Sequence, residues 1–171
     1  MNFTWLKFDD MQAQTAISLL SLRHRVFDEQ GLYHAQEVDE IDKHCEHLCV
    51  YEHSHEVIAC LRLYQLKDKT SLNSYQIGRI CVDNDHREQG IAKKMITSAI
   101  MRGMGQGLEA KFETHTPVYL SELYRSIGFE SFGDPYKESD VPHICMKLRQ
   151  ASLLEEQLDP IDPHRRRVRV S

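Results

Sequence analysis

Between Tyr75 and Gly103 an apolar run, a polar turn and a helical periodicity follow one another without a break, and no other segment constrains the fold as tightly. Tyr75 to Val82 is rich in residues that favour extended backbone, which predicts a strand. Asp83-Asn-Asp-His-Arg-Glu-Gln-Gly90 turns the chain. Ile91, Met95, Ile96, Ala99 and Ile100 then recur at helical spacing until Gly103, Gly105 and Gly107 end the pattern. This part of the chain is therefore committed to a strand that feeds directly into a helix.

The junction has chemistry of its own. The first turn of a helix carries backbone N–H groups with no internal acceptor and the positive end of the macrodipole, so it binds anions. Gly90 lets a phosphate approach the main chain with no side chain in the way, and Arg87 adds a fixed charge. Two familiar phosphate sites that use the same physics are excluded. The turn does not end in Gly-Lys-Ser/Thr, as a nucleoside-triphosphate loop would, and no three-glycine dinucleotide fingerprint follows any strand.

The remaining elements alternate. Phe3 to Phe8 reads as a strand, with Asp9-Asp10 as cap for a helix running to Gly31 whose apolar stripe includes Met11, Ile17, Leu20 and Phe27. From Leu32 to Glu46 the periodicity fails and Glu37, Asp39, Glu40, Asp42 and Glu46 crowd into an acidic loop. His47 to Tyr51 and Val57 to Leu66 form a hairpin, and Lys67 to Ser74 is a polar break before the strand at Tyr75. Leu108 to His115 is a further strand, Thr116-Pro117 opens a short helix closed by Gly128, and Phe129 to Phe132 and Pro142 to Leu148 are the last two strands.

With 171 residues the chain suits a single domain. Its net charge of -5 argues against a general nucleic-acid binder, which needs a basic face to displace counterions. The apolar runs are far too short to span a bilayer, and the N-terminus lacks the pattern of a signal peptide, so a cytoplasmic protein is expected. Five cysteines, three of them inside apolar strand-like runs, are expected to be reduced. His44-Cys45-x-His47-x-Cys49, with His53 and His55 nearby, has metal-binding residue types but no paired frame, so no metal is assigned. Residues 150–171, ending in Arg165-Arg-Arg167 and Arg169, are expected to be a tail, partly disordered, on a domain of residues 1–149.

Arg87-Glu-Gln-Gly-Ile-Ala92 matches the Arg/Gln-x-x-Gly-x-Gly/Ala signature of the GCN5-related N-acetyltransferase (GNAT) superfamily, which the chain resembles. Leu123-Tyr-Arg-Ser-Ile-Gly-Phe129 is similar to that family's later Tyr-x-x-x-Gly-Phe element, and the order of elements agrees over about the first 149 residues. Within the superfamily the chain looks closest to an ElaA-like branch. The shared pieces are Leu22-Arg23, Val26-Phe27, Glu29-Gln30, Glu37-x-Asp39-x-x-Asp42, His47, Ile77-Gly-Arg-Ile80 and Pro142-His143-Ile144 with Met146.

The resemblance implies an α/β (α+β) fold with a mixed sheet of six or seven strands, splayed at a cofactor cleft and flanked by helices. It implies acetyl-CoA as donor to a small-molecule or peptide amine. The pyrophosphate would lie beside Arg87 on the amides of Glu88, Gln89, Gly90, Ile91 and Ala92, and the pantetheine along Ile80, Cys81 and Val82. Motif matching makes Tyr124 the acid for the departing thiolate. Glu113 and His115 share one face of a strand, and either could serve as base. Here the chain departs from the ElaA-like pattern, reading Phe-Glu-Thr-His-Thr-Pro where Ala-Gln is expected. Arg23, Glu29, Asp39 and Asp42 could line the acceptor site, the acidic loop drawing in a cationic amine. A homodimer paired through the strand Pro142 to Leu148 and a monomer are both permitted. The alternative function is a non-catalytic acyl-CoA-binding or partner-binding module.

Overall fold

The computed structural model describes residues 1–29, 31, 38–52, 56–68, 71–105, 110–138 and 140–149. The expected tail, the start of the acidic loop at 32–37, and His53 and His55 lie outside these residues. Among the described residues seven strands form one mixed sheet in the order β1-β2-β3-β4-β5-β7-β6. They are β1 (Asn2–Lys7), β2 (Glu46–Tyr51), β3 (Val57–Asp68), β4 (Ser71–Val82), β5 (Lys111–Pro117), β6 (Phe129–Glu138) and β7 (Val141–Leu148). All neighbours are antiparallel except β4 and β5, which run parallel because the helix between them carries the chain back across the sheet.

That crossover is α2 (Ile91–Met104), which buries Ile91, Met95, Ile96, Ala99 and Ile100 against one face of the sheet, as its periodicity predicts. Tyr124 of α3 (Ser121–Arg125), Phe129, Ile144 and Met146 complete the same core. On the opposite face α1 (Ala13–Glu29) packs Leu19, Leu22, Val26 and Phe27 over Cys49, Cys60 and Cys81. All five cysteines are free thiols. Among the described residues no helix is long and apolar enough to cross a membrane.

Four expectations change. Phe8–Asp10 form a 3-10 turn, so Asp9 and Asp10 precede α1 rather than cap it. Ile17 is 66% exposed while Arg23 is 1% exposed, so the inward stripe of α1 is rotated from the purely apolar one. The polar break expected from Lys67 to Ser74 is shorter, because β3 and β4 continue into it from either side and pair as far as Asp68 and Ser71. Gly133-Asp-Pro135 does not end β6. The register with β7 shifts between Phe132 and Tyr136, and Gly133 adopts φ 73, which absorbs the extra residues on an edge strand where a proline costs no ladder bond.

Candidate active site

The site begins where two neighbouring strands part. β4 and β5 pair only at Ser74–Lys111, Tyr75–Phe112 and Gln76–Glu113. Beyond Gln76, β5 turns to β7 alone, pairing from Glu113 to Pro117. β4 goes on to Val82 with β3 on one side and no strand on the other among the described residues. A bulge helps β4 away: Arg62 pairs with Gly78 and Cys60 with Cys81, so Arg79 and Ile80 together oppose Leu61. Arg79 sits at φ 51, a conformation costing a residue with a Cβ about 1–2 kcal/mol. Asp39 offsets that cost by accepting from Arg79 Nη2 at 3.2 Å, and the Phe27 ring lies 5.6 Å under the guanidinium.

The gap between the strands is a cleft of about 330 Å³. One wall is built by Arg62, Gly78, Arg79 and Ile80, the other by Thr114, His115, Thr116 and His143, with Tyr124 at the bottom. Tyr124 is held there by helix and strand together. Thr114 Oγ1 donates to its hydroxyl at 3.3 Å, and Phe129 meets its ring edge-on at 5.4 Å. Burial pushes the Tyr124 phenol up to about 12 against the opposing effect of Thr114 and Thr116, so it keeps its proton throughout the physiological range.

At the outer end of β4 lies the turn into α2. Asp83 caps a 3-10 turn over Asn84–His86 by accepting from the Asp85 amide at 3.1 Å. Glu88 at φ 61 and Gly90 at φ 72 then coil the chain into the first turn of α2, which has no side-chain cap. Space for a ligand is present, because a Cβ on Gly90 would meet nothing within 4 Å. Arg87 donates from Nε to Val82 O at 3.3 Å and from Nη2 to Glu29 Oε2 at 3.2 Å. Glu29 Oε2 also accepts from Asn84 Nδ2 at 2.7 Å, so the end of α1 is tied to the turn before α2 and not to the cleft. Ile91 is anchored in the core, Cys81 faces α1, Ile80 lines the cleft, and Glu88, Gln89 and Gly90 are exposed.

Asp39 and Asp42 do not form an anionic wall. Asp42 is gripped by Arg23 through bonds of 2.9 and 3.2 Å, and Arg62 donates to both carboxylates, at 2.7 and 3.0 Å to Asp39 and 3.0 Å to Asp42. Each carboxylate also takes the other's backbone amide, closing a 3-10 turn over Glu40–His44. Three arginines answer the charge of this pair, and Arg23 and Asp42 are both buried. His47 belongs to the same assembly, bonding Asp42 O through Nε2 at 2.9 Å. Burial is the main reason its pKa is lowered.

Of the two expected bases, one lines the cleft. His115 reaches the cleft, with Nδ1 2.8 Å from Tyr136 Oη. Glu113 is paired with Gln76 in the last β4–β5 pair and is not part of the cleft lining, although its carboxylate stands 4.0 Å from His115 Nε2. Sequence reasoning passed over His143 as a chemical group. It is 4% exposed, lines the cleft, and sits opposite Pro117 of β5, a placement signalled by no local pattern.

Residues 9–150 match the family model of the acetyltransferase (GNAT) domain. The chain is 30% identical over 149 residues to a UPF0039 protein of Schizosaccharomyces pombe, covering 86% of this chain and 97% of that one. Among solved structures it superposes on an acyl-CoA N-acyltransferase from Pseudomonas aeruginosa with a TM-score of 0.75 and 26% identity, covering 86% of this chain and 99% of the other. ElaA of Escherichia coli has the same fold, with a TM-score of 0.76, 23% identity and the same coverage.

Proposed function

The chain belongs to the acetyltransferase (GNAT) domain family, and from that premise we propose that it is an acetyl-CoA-dependent N-acetyltransferase of the cytoplasm acting on a primary amine of a small molecule or peptide. The catalytic domain is residues 1–149, followed by a tail of residues 150–171. One observation carries the reading: β4, its edge open beyond Gln76, runs from a cleft lined by a protonated, buried tyrosine to the turn before an uncapped helix N-terminus.

The residues fit the donor part by part. The amides from Glu88 to Ala92 with Arg87 suit a pyrophosphate, because Gly90 leaves the main chain bare and α2 adds its dipole. The N–H and C=O groups of Ile80, Cys81 and Val82 that face the gap suit the two amides of a pantetheine arm, in the manner of an added strand. When bound, acetyl-CoA supplies an acyl group on a thiolate leaving group. Tyr124 holds the proton that a departing thiolate needs, and the Thr114 bond keeps its hydroxyl aimed. The amine nitrogen forms the new bond to the acyl carbon as the carbon–sulfur bond breaks, and no enzyme nucleophile is required.

Acetyl-CoA titrated against a panel of amines, peptides and polyamines, with free thiol followed, tests this. Thiol release that depends on the acceptor is expected. Binding of acetyl-CoA without release under any acceptor would favour the non-catalytic binding module, and no binding at physiological concentrations rejects both.

A further inference from the structure

The transfer needs a group to take the proton of the attacking nitrogen, and we propose that this general base is His143, acting through Nε2. The assignment rests on the N-acetyltransferase reading above.

His143 is placed by the sheet. In antiparallel pairs opposite residues share a face, so His143 points the same way as Pro117 and Tyr136, while its neighbours Ile144 and Met146 enter the core under α2. Tyr124 reaches the cleft from that α2 side. Acid and base therefore face the gap from opposite surfaces of the sheet, one where the thiolate leaves and the other where an amine can enter.

The ring is also set in the right state. Nδ1 lies 2.9 Å from Val141 O, and a carbonyl oxygen only accepts, so Nδ1 carries the hydrogen and Nε2 holds a lone pair. Among the described residues Nε2 has no hydrogen-bond partner. The Tyr136 ring packs at 6.0 Å on one side, and Tyr136 is fixed in turn by His115, which makes His115 a positioning residue. The charged and titratable groups around His143 are Tyr136 and Glu138 of β6, His115 of β5, Cys145 of β7, Tyr124 of α3, and Arg62, Tyr64 and Arg79 across the cleft. In the step, the amine lone pair forms the C–N bond and the C–S bond breaks. The N–H proton passes to His143 Nε2, and the Tyr124 proton passes to sulfur. Water then takes the proton from His143 and restores that of Tyr124.

The experiment measures thiol release against pH for the wild-type chain, His143→Gln and His115→Gln, together with acetyl-CoA affinity and Tm for each. His143→Gln is expected to lower kcat about 100-fold, in the range for losing a general base. It should also remove the acidic limb of the kcat/KM profile and keep acetyl-CoA affinity within twofold. His115→Gln should lose less and keep the limb. A His143→Gln enzyme within fivefold of wild type, or one whose acidic limb survives, overturns the proposal, as does loss of the limb in His115→Gln alone. Nitrogen-15 spectra of the histidine rings give a second readout that needs neither turnover nor a folded variant. A hydrogen on Nε2 of neutral His143 refutes the assignment. A wild-type chain that binds acetyl-CoA and releases no thiol with any acceptor overturns the transferase reading itself, a result distinct from each of these.

Discussion

Arg23 and Asp42 bond each other twice with both side chains closed to water, at 1% and 2% exposure. Burial pushes the Asp42 carboxyl up, but the bond and charge of Arg23, the Asp39 amide and Arg62 outweigh it and bring the pKa to about 2 from 3.8. A lowered folded-state pKa stabilises above the unfolded value. The contribution, about 2 kcal/mol, is therefore complete above pH 4 and is lost as pH falls through about 2. Asp42→Ala leaves Arg23 buried without this carboxylate and should cost about 3–5 kcal/mol, read by urea denaturation at pH 7, with the difference from wild type shrinking in acid.

Tyr124→Phe should lower kcat about 100-fold while changing acetyl-CoA affinity little, because the hydroxyl serves the leaving thiolate and not the donor's anchoring. Stability should fall by about 1 kcal/mol, the worth of the Thr114 bond. Since the folded phenol sits at about 12, its contribution to stability is complete below pH 10 and fades as pH rises from 10 towards 12. Denaturation midpoints of wild type and Tyr124→Phe should therefore converge across that interval.

Gly90→Ala tests the anion site at small structural cost. The φ of 72 makes any Cβ strained by about 1 kcal/mol, and the methyl group occupies the open space above the main chain. CoA affinity by calorimetry should fall about tenfold or more, with a modest drop in Tm.

Glu29→Gln should act the other way. Glu29 holds Arg87 Nη2 at 3.2 Å, so it competes with any phosphate for that guanidinium. Removing its charge should tighten CoA binding about two- to fivefold at low ionic strength, and the gain should fade in salt because the groups are exposed.

Gly103→Ala probes the core beneath the joint of β4 and β5. A Cβ there would lie 2.6 and 2.7 Å from the Phe112 ring and 3.2 Å from Tyr75, two rings already stacked 5.6 Å apart. Overpacking of this kind costs about 1–3 kcal/mol, which outweighs the better helix propensity of alanine. The expected drop in Tm is about 5 °C by scanning calorimetry.

Sequence reasoning succeeded where the determinant is local. Gly90 ahead of Ile91, Met95 and Ile96 announces both the start and the buried face of α2. It failed where the determinant is a partner from elsewhere. Hydropathy turned Ile17 inward because nothing in α1 shows that Arg23 meets Asp42, 19 residues away. The pairing of the acidic loop was equally hidden, because Arg62 and Arg79 stand on β3 and β4, 23 and 40 positions from Asp39. His143 belongs to the same class: its place at the cleft follows from pairing with Pro117, which only the folded sheet creates.

The three pairs that join β4 to β5 divide the sheet into two plates meeting along a short seam. Peptide groups of β4 beyond Gln76 that face the gap have no strand partner among the described residues, while the alternate ones pair with β3. Deuterium uptake along Ile77 to Val82 should thus be striped, fast and slow amides alternating residue by residue, with the bulge at Arg79 shifting the phase. The stripe is a ruler laid along the cleft. Each fast amide that slows when a cofactor is added marks how far the bound molecule has advanced towards Tyr124.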